Sequence, residues 1–280
     1  MPKPRELKPG RSARDLFGAD MRRLRAREKW SLAEMADRLP YSKSHLARIE
    51  GAEILAPPEL APLLDTLFST DEHFVGLFRL ARREAHPGKY RPYMELEAEA
   101  VKIEQYAAQA VPGLLQTEEY ARALLECDRE ATEERIEELV AARMSRQELL
   151  RLDPPPHSWT ILDEAVLRRT IGGCAVMQEQ LAALLPLVDS PTTTIQVLPF
   201  SHGAHALLGG SLTLLTLPEG EVAAYEEGID MGHLYEDLSE VQKRQRAYDA
   251  LRGYAPSPRR AAALISSALE DCKSCEPPPT

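Results

Sequence analysis

Lys43, Ser44 and Arg48 lie in the stretch "LPYSKSHLARIE", residues 39–50, on one face of a short helical pattern whose other face carries Leu46 and Ile49. Lysine and arginine donate well to the O6 and N7 acceptors of guanine, and serine can donate to or accept from several bases. The chemistry these residues suit is the reading of base edges. Other groups with chemical potential lie farther along. "FSHGAHALLGG", residues 200–210, holds His202 and His205, and a hydrolase built from Cys174, one of these histidines and Asp163 can be drawn. Cysteine catalysis needs a base oriented by a third group, and nothing in the sequence brings the three together. The "GGC" before a helix, Gly172–Cys174, would lower a thiol pKa, although a cysteine at a helix start is more often packing. "CKSC", Cys272–Cys275, has the spacing of metal ligands, but zinc takes about four, and no second CxxC or HxxxH exists. The expectation is a protein that is not an enzyme, with no cofactor and no metal.

Two elements must position the candidate readers. "SLAEMADRL" starts at Ser31, with Glu34 three residues on, which is the spacing of a capping box. "SKSHLARIE" follows after a short break, with Ser42 as its N-cap. A helix, a tight turn and a second short helix form the helix-turn-helix pattern. In it the first helix braces the second, which enters the major groove with its N-terminal side chains at the bases. Met35, Ala36 and Leu39 are expected to pack on Leu46 and Ile49, turning Lys43, Ser44, Ala47 and Arg48 outward. The amides at Ser31 and Ser42 open helices, where backbone N–H groups meet phosphate. His45, beside the readers, can touch the backbone, and no metal partner lies at helical spacing from it. The same residues would also serve as the solvated face of a helical bundle.

Flanking patterns complete the bundle: "DLFGADMRRLRAREK" before the pair, "PPELAPLLDTLF" and "TDEHFVGLFRLARREA" after it, five short helices over residues 15–83. Charge agrees with this placement. The chain has 280 residues and a net charge of −10, which taken alone argues against nucleic acid. Residues 1–50, however, hold 13 basic and 7 acidic side chains, a net of +6, while the remainder is at −16. A basic head on an acidic body is the asymmetry expected when only the head meets phosphate.

Residues 1–13 read as a basic arm, 14–85 as the helical domain and 86–92, "HPGKYRP", as a Gly/Pro linker. A second domain, 93–271, opens with helices near 93–109, 117–127 and 132–152. The period then changes: "SWTIL", "TTTIQVLPF", "GSLTLLTL" and "VAAYEE" read as strands. "AVMQEQLAALLPLVD" reads as a helix between the first two, and helices near 237–252 and 257–271 close the chain. Residues 272–280 read as a tail. The fold class is mainly α, with an α+β second domain whose helices pack on a small, mostly antiparallel sheet. Tyr106, Tyr120, Trp159, Tyr225 and Tyr235 read as core or as the lining of a pocket or partner groove. No run of about 18 apolar residues exists, so no membrane span is expected. The basic N-terminus lacks the apolar segment of a secretory signal. Four cysteines are too few for a disulfide framework, and a reduced, cytoplasmic protein is expected.

"RRLRAREKWSLAEMADRLPYSKSHLARIEGAE" closely resembles the Xre-type, phage-repressor-like helix-turn-helix family over about residues 14–70. The resemblance implies a five-helix DNA-binding domain that acts as a homodimer on a two-fold-symmetric operator. By position it makes Lys43, Ser44 and Arg48 base readers and puts Arg25, Ser31 and Leu32 near phosphate. Arg25 pairs with Glu50 instead in many members. Pro40 departs from the family: the turn usually has glycine there, for a positive φ, and proline is fixed near −65°. In the second domain "VPGLLQTEEYAR" and "IQVLPF", with several weaker stretches, resemble the C-terminal domain of antitoxin-like actinobacterial regulators. That resemblance implies control of the head through a small companion protein, and carries over no catalytic residue. A small-molecule effector between helices and sheet is the other input considered. The alternative reading is an interaction protein that mainly sequesters its companion and binds DNA for autoregulation.

Overall fold

The computed structural model describes residues 7, 9–10, 12–84, 90–228 and 232–274. The chain divides into two compact units, one up to Gly88 and one from Lys89.

The first unit is five helices: α1 Ala13–Arg27, α2 Leu32–Ala36, α3 Lys43–Glu50, α4 Leu60–Phe68 and α5 His73–Glu84. Three starts are set by short polar side chains. Ser12, Ser31 and Ser42 each accept an N–H from three residues ahead, satisfying amides that a helix leaves orphaned at its start. At α5 a remote residue does this: the Asp65 carboxylate on α4 accepts from the amides of Phe74 and Val75 at 2.9 and 3.0 Å. The apolar stripes meet in one core of Phe17, Met21, Leu24, Met35, Leu39, Leu46, Ile49, Leu60, Leu64, Phe68 and Phe74. Gly18 is needed where α1 crosses the end of α3, because a Cβ there would lie 2.7 Å from the Glu50 carbonyl oxygen.

The second unit is built on a mixed sheet. Among the described residues it has six strands, β1 Lys102–Ala107, β2 His157–Asp163, β3 Thr193–Leu198, β4 Ser211–Thr216, β5 Val222–Glu227 and β6 Gly232–Tyr235. Their order is β3-β2-β1-β4-β5-β6. β1, β2 and β3 are parallel, and β4 to β6 add antiparallel ladders on the other side of β1. The helices are α6 Arg91–Glu99, α7 Glu118–Leu125, α8 Glu133–Arg146, α9 Glu164–Arg168, α10 Gly173–Leu184, α11 Leu238–Tyr254 and α12 Pro258–Lys273. On one face Leu162, Ile195 and Val197 pack against Leu181 and Leu184 of α10 and Ala261 and Ile265 of α12. On the other, Tyr106, Ile161, Leu212 and Leu214 pack against Val241, Tyr248 and Leu251 of α11.

The structure corrects two sequence assignments. The helix expected over 93–109 ends at Glu99, and Lys102–Ala107 is the central strand. Glu104 and Gln105 favour helices, but here both are buried: Glu104 pairs with Lys102 and Arg252, and the Gln105 amide donates to Thr213. A strand covered on both faces loses the alternation that would identify it. The linker expected over 86–92 falls outside the described residues at 86–89, while Tyr90–Pro92 opens α6, with proline in the first helical turn where it costs no hydrogen bond. Most of the arm 1–13 and tail residues 275–280 also lie outside the described residues.

Candidate nucleic-acid interface

Helix α3 is held from behind by apolar contact and from its end by charge. Leu46 and Ile49 are fully buried beside Met35 and Leu39. That leaves Ser42, Lys43 and Ser44 exposed on its first turn, with Arg48 half-exposed one turn on. The Arg48 Nε lies 4.0 Å from the Glu53 carboxylate. Glu50, at the last position of the helix, is buried. It accepts from Arg25 through both oxygens, at 2.7 and 2.8 Å, and from Arg22 Nε at 3.2 Å. Arg25 also donates to the Trp30 carbonyl at 2.7 Å. Planar two-point pairing of this kind fixes orientation as well as distance, so α3 is locked to α1 and to the entry of α2. The hydrogen bond to Glu50 holds the Arg25 pKa above the ordinary arginine value, against the opposing effect of burial.

Four expected contacts are altered, Arg25 in the way the resemblance allowed. Arg25 does not face phosphate, because its guanidinium is spent on Glu50 and Trp30. The Ser31 amide donates to Glu34 Oε2 at 2.7 Å while the Ser31 hydroxyl accepts from the Glu34 amide, so the capping box uses the N–H expected to meet phosphate. Leu32, the first residue of α2, packs part of its side chain on the core and can offer DNA its backbone alone. His45 stacks on Tyr41 with ring centroids 5.5 Å apart, and its Nε2 is buried without a hydrogen-bond partner among the described residues. It braces the start of α3 rather than presenting itself outward.

The Pro40 question has a local answer. The Tyr41 amide donates to the Leu39 carbonyl at 2.8 Å. A bond from residue i+2 back to i encloses a three-residue turn, and with the central φ negative it is an inverse γ-turn. Proline's fixed φ fits that geometry, so no residue of this turn has positive φ. The Arg25–Glu50 pair is the alternative the resemblance offered for Arg25; sequence reasoning missed Arg22 as a second partner of Glu50, and Gly18. For Gly18 there was no signal beyond a glycine inside a helix.

In the second unit, candidates raised by sequence are arranged differently from a hydrolase. The Leu207 amide donates to His205 Nδ1 at 3.3 Å, which leaves the proton on Nε2, 3.2 Å from the Tyr106 hydroxyl. That hydroxyl donates to Asp163 at 3.0 Å. Tyr106 thus stands between His205 and Asp163, and neither nitrogen of His205 turns to Cys174. Burial lowers the His205 pKa; Asp163 opposes this and His202 adds to it. Tyr106, Tyr120 and Tyr225 are buried core residues, and Trp159 and Tyr235 are partly buried against the core. Among the described residues no group of three or more His, Cys, Asp or Glu could hold a metal, and Cys275 lies outside them. None of the helices described is long and apolar enough to cross a membrane.

Comparison with known proteins agrees with this division. A model described as a helix-turn-helix domain matches residues 16–75. A model described as a domain of unknown function, DUF5753, matches residues 90–267. No curated protein and no solved structure matches the chain. The first unit is a helix-turn-helix domain, which supports a DNA-binding regulator. Since the second match takes in more than half of its length, the chain belongs to the DUF5753 family, with a helix-turn-helix head.

Proposed function

We propose that this protein is a sequence-specific transcription regulator of the Xre type that binds a two-fold-symmetric operator as a homodimer. Lys43, Ser44 and Arg48 read bases, and the N-termini of α2 and α3 meet phosphate. The observation that carries the reading is the exposed first turn of α3, Ser42–Ser44, on a helix whose position is set by the buried Glu50 and two arginines. Readers must be held before contact if base discrimination is not to be lost to disorder.

In this reading the second unit is a sensing and assembly domain rather than an enzyme. It answers a small companion protein or an effector by changing dimerisation or head spacing, inside the cytoplasm. The antitoxin-like sequestering role is the second reading, favoured by the strongly acidic body.

Selection from random duplex DNA tests the proposal, with Arg48→Ala alongside. A two-fold-symmetric site, with one base position relaxed in the variant and a cost of about 1–3 kcal/mol there, is the expected result. No enrichment by the folded protein, or a variant that weakens all sequences alike, would refute base reading by α3. A protein that keeps its cellular activity when Lys43 and Arg48 are both alanine would favour sequestration.

A further inference from the structure

Arg143 in the second unit is a half-buried guanidinium that forms no ion pair among the described residues. Arg143 and Arg146 lie one turn apart near the end of α8, beside the loop that follows β1. Arg146 is ion-paired, donating to both oxygens of Glu97 at 2.9 and 2.8 Å, where the Tyr93 hydroxyl also donates. Arg143 runs along Gly113 and donates once, from Nη1 to Gln116 Oε1 at 3.1 Å. A guanidinium has five N–H donors, and among the described residues no carboxylate lies within ion-pairing distance of this one.

The single bond holds it firmly. Gln116 is buried, and its amide nitrogen donates to the Val111 carbonyl at 2.6 Å. Its backbone carbonyl accepts from the Gln147 side-chain amide at 2.6 Å. The loop of the "VPGLLQT" motif thus aims Arg143 from within, and no other described residue takes a bond from its fork. Burial, then the like charge of Arg146, depress the Arg143 pKa; Glu227 and Tyr90 offset this in part. Buried charge without a partner is unfavourable, and the cost is recovered when an anion arrives.

We propose that Arg143, backed by Arg146, anchors a binding site for a small molecule bearing a carboxylate or phosphate. The planar fork accepts either oxyanion at two points. The proposal rests on the reading of this unit as an effector-responsive domain, and it supplies the chemistry of the effector.

The test titrates the full chain with sodium phosphate, and separately with sodium acetate, against sodium chloride at equal ionic strength. Isothermal calorimetry and the melting of the second unit are the readouts. A saturable response is expected, with Tm rising by about 3–5 °C at tenfold excess over Kd. It is lost in Arg143→Gln, weakened at least about tenfold in Arg143→Lys, which keeps the charge but not the fork, and unchanged in the exposed Arg259→Gln. A response to one anion alone supports the site and names the oxyanion. An equal, unsaturating rise in every variant is general ion exclusion and overturns the proposal, as does no rise with either anion. Should Arg143→Gln fail to fold, the Arg143→Lys comparison decides alone. If phosphate binds saturably and operator affinity does not change, the site stands and the sensing role falls. If no anion binds, the reading of α3 is untouched.

Discussion

Replacing Glu50 by glutamine keeps the shape of the side chain and removes its charge. In the native protein three guanidinium N–H groups converge on this carboxylate, two from Arg25 and one from Arg22. The Glu50 side chain is 6% exposed, Arg25 16% and Arg22 35%. Breaking one partner of a buried pair typically costs about 3–5 kcal/mol, because the other charge stays behind unpaired. Arg22 is open enough to recover hydration, so the lower end applies, about 3 kcal/mol. For a unit of this size that lowers Tm by about 12–24 °C. The assay is thermal unfolding followed through Trp30 fluorescence, since Trp30 lies at the pair. The double variant Arg25→Met with Glu50→Leu separates causes. If the single variant fails through an uncompensated charge, the double variant regains part of the loss. A loss below about 1 kcal/mol in Glu50→Gln, or a double variant no better than the sum of its parts, would refute the reasoning.

Gly18→Ala should destabilise the head by about 1–3 kcal/mol, since the overlap at 2.7 Å from a backbone oxygen outweighs the gain of about 1 kcal/mol in helix propensity; denaturant unfolding reads it, and a stabilised variant would show that α1 and α3 slide apart freely. Pro40→Gly should cost about 0.5–1 kcal/mol through the entropy of the unfolded chain and leave the selected operator unchanged; a new base preference would mean that the γ-turn sets the tilt of α3. His205 has a depressed folded pKa, so the unfolded chain takes up its proton first as pH falls below the ordinary value of 6.5. Stability of the second unit should therefore drop on acidification through that point and drop less in His205→Gln, as measured by melting between pH 7.5 and 5.5; equal slopes in both proteins would remove His205 from the account.

The head was legible because its signals are local. Ser31 with Glu34, and Ser42 before an apolar pair at 46 and 49, need no knowledge of the rest of the chain, and the structure places both caps and both apolar faces as read. The second unit was legible where strands have a polar border and illegible at β1. Lys102–Ala107 joins helix-favouring residues to long-range partners: Glu104 meets Arg252, 148 positions away, and Gln105 meets Thr213, 108 away. Tertiary contacts of that range overrule local preference. The short β6 and the role of Asp65 as a cap for α5 escaped for the same reason, because each is specified by a partner and not by its own neighbours.

The same distinction corrects the electrostatic argument from sequence. Counting gave the first 50 residues a net of +6, and the fold decides which of those cations DNA can meet. Arg22 and Arg25 close on Glu50, Arg23 on Asp20 and Arg27 on Glu28. Arg38 lies over the Trp30 ring at 4.4 Å and donates to the Glu34 carbonyl. Exposed pairs such as Arg23–Asp20 and Arg27–Glu28 are weak and can yield to phosphate, while the buried Arg25–Glu50 pair cannot without undoing the head. Counterion release follows the cations that reach phosphate, not the net charge. The salt dependence of binding should thus be shallower than the count implies, and Arg25→Ala should act through the position of α3, changing stability and specificity together.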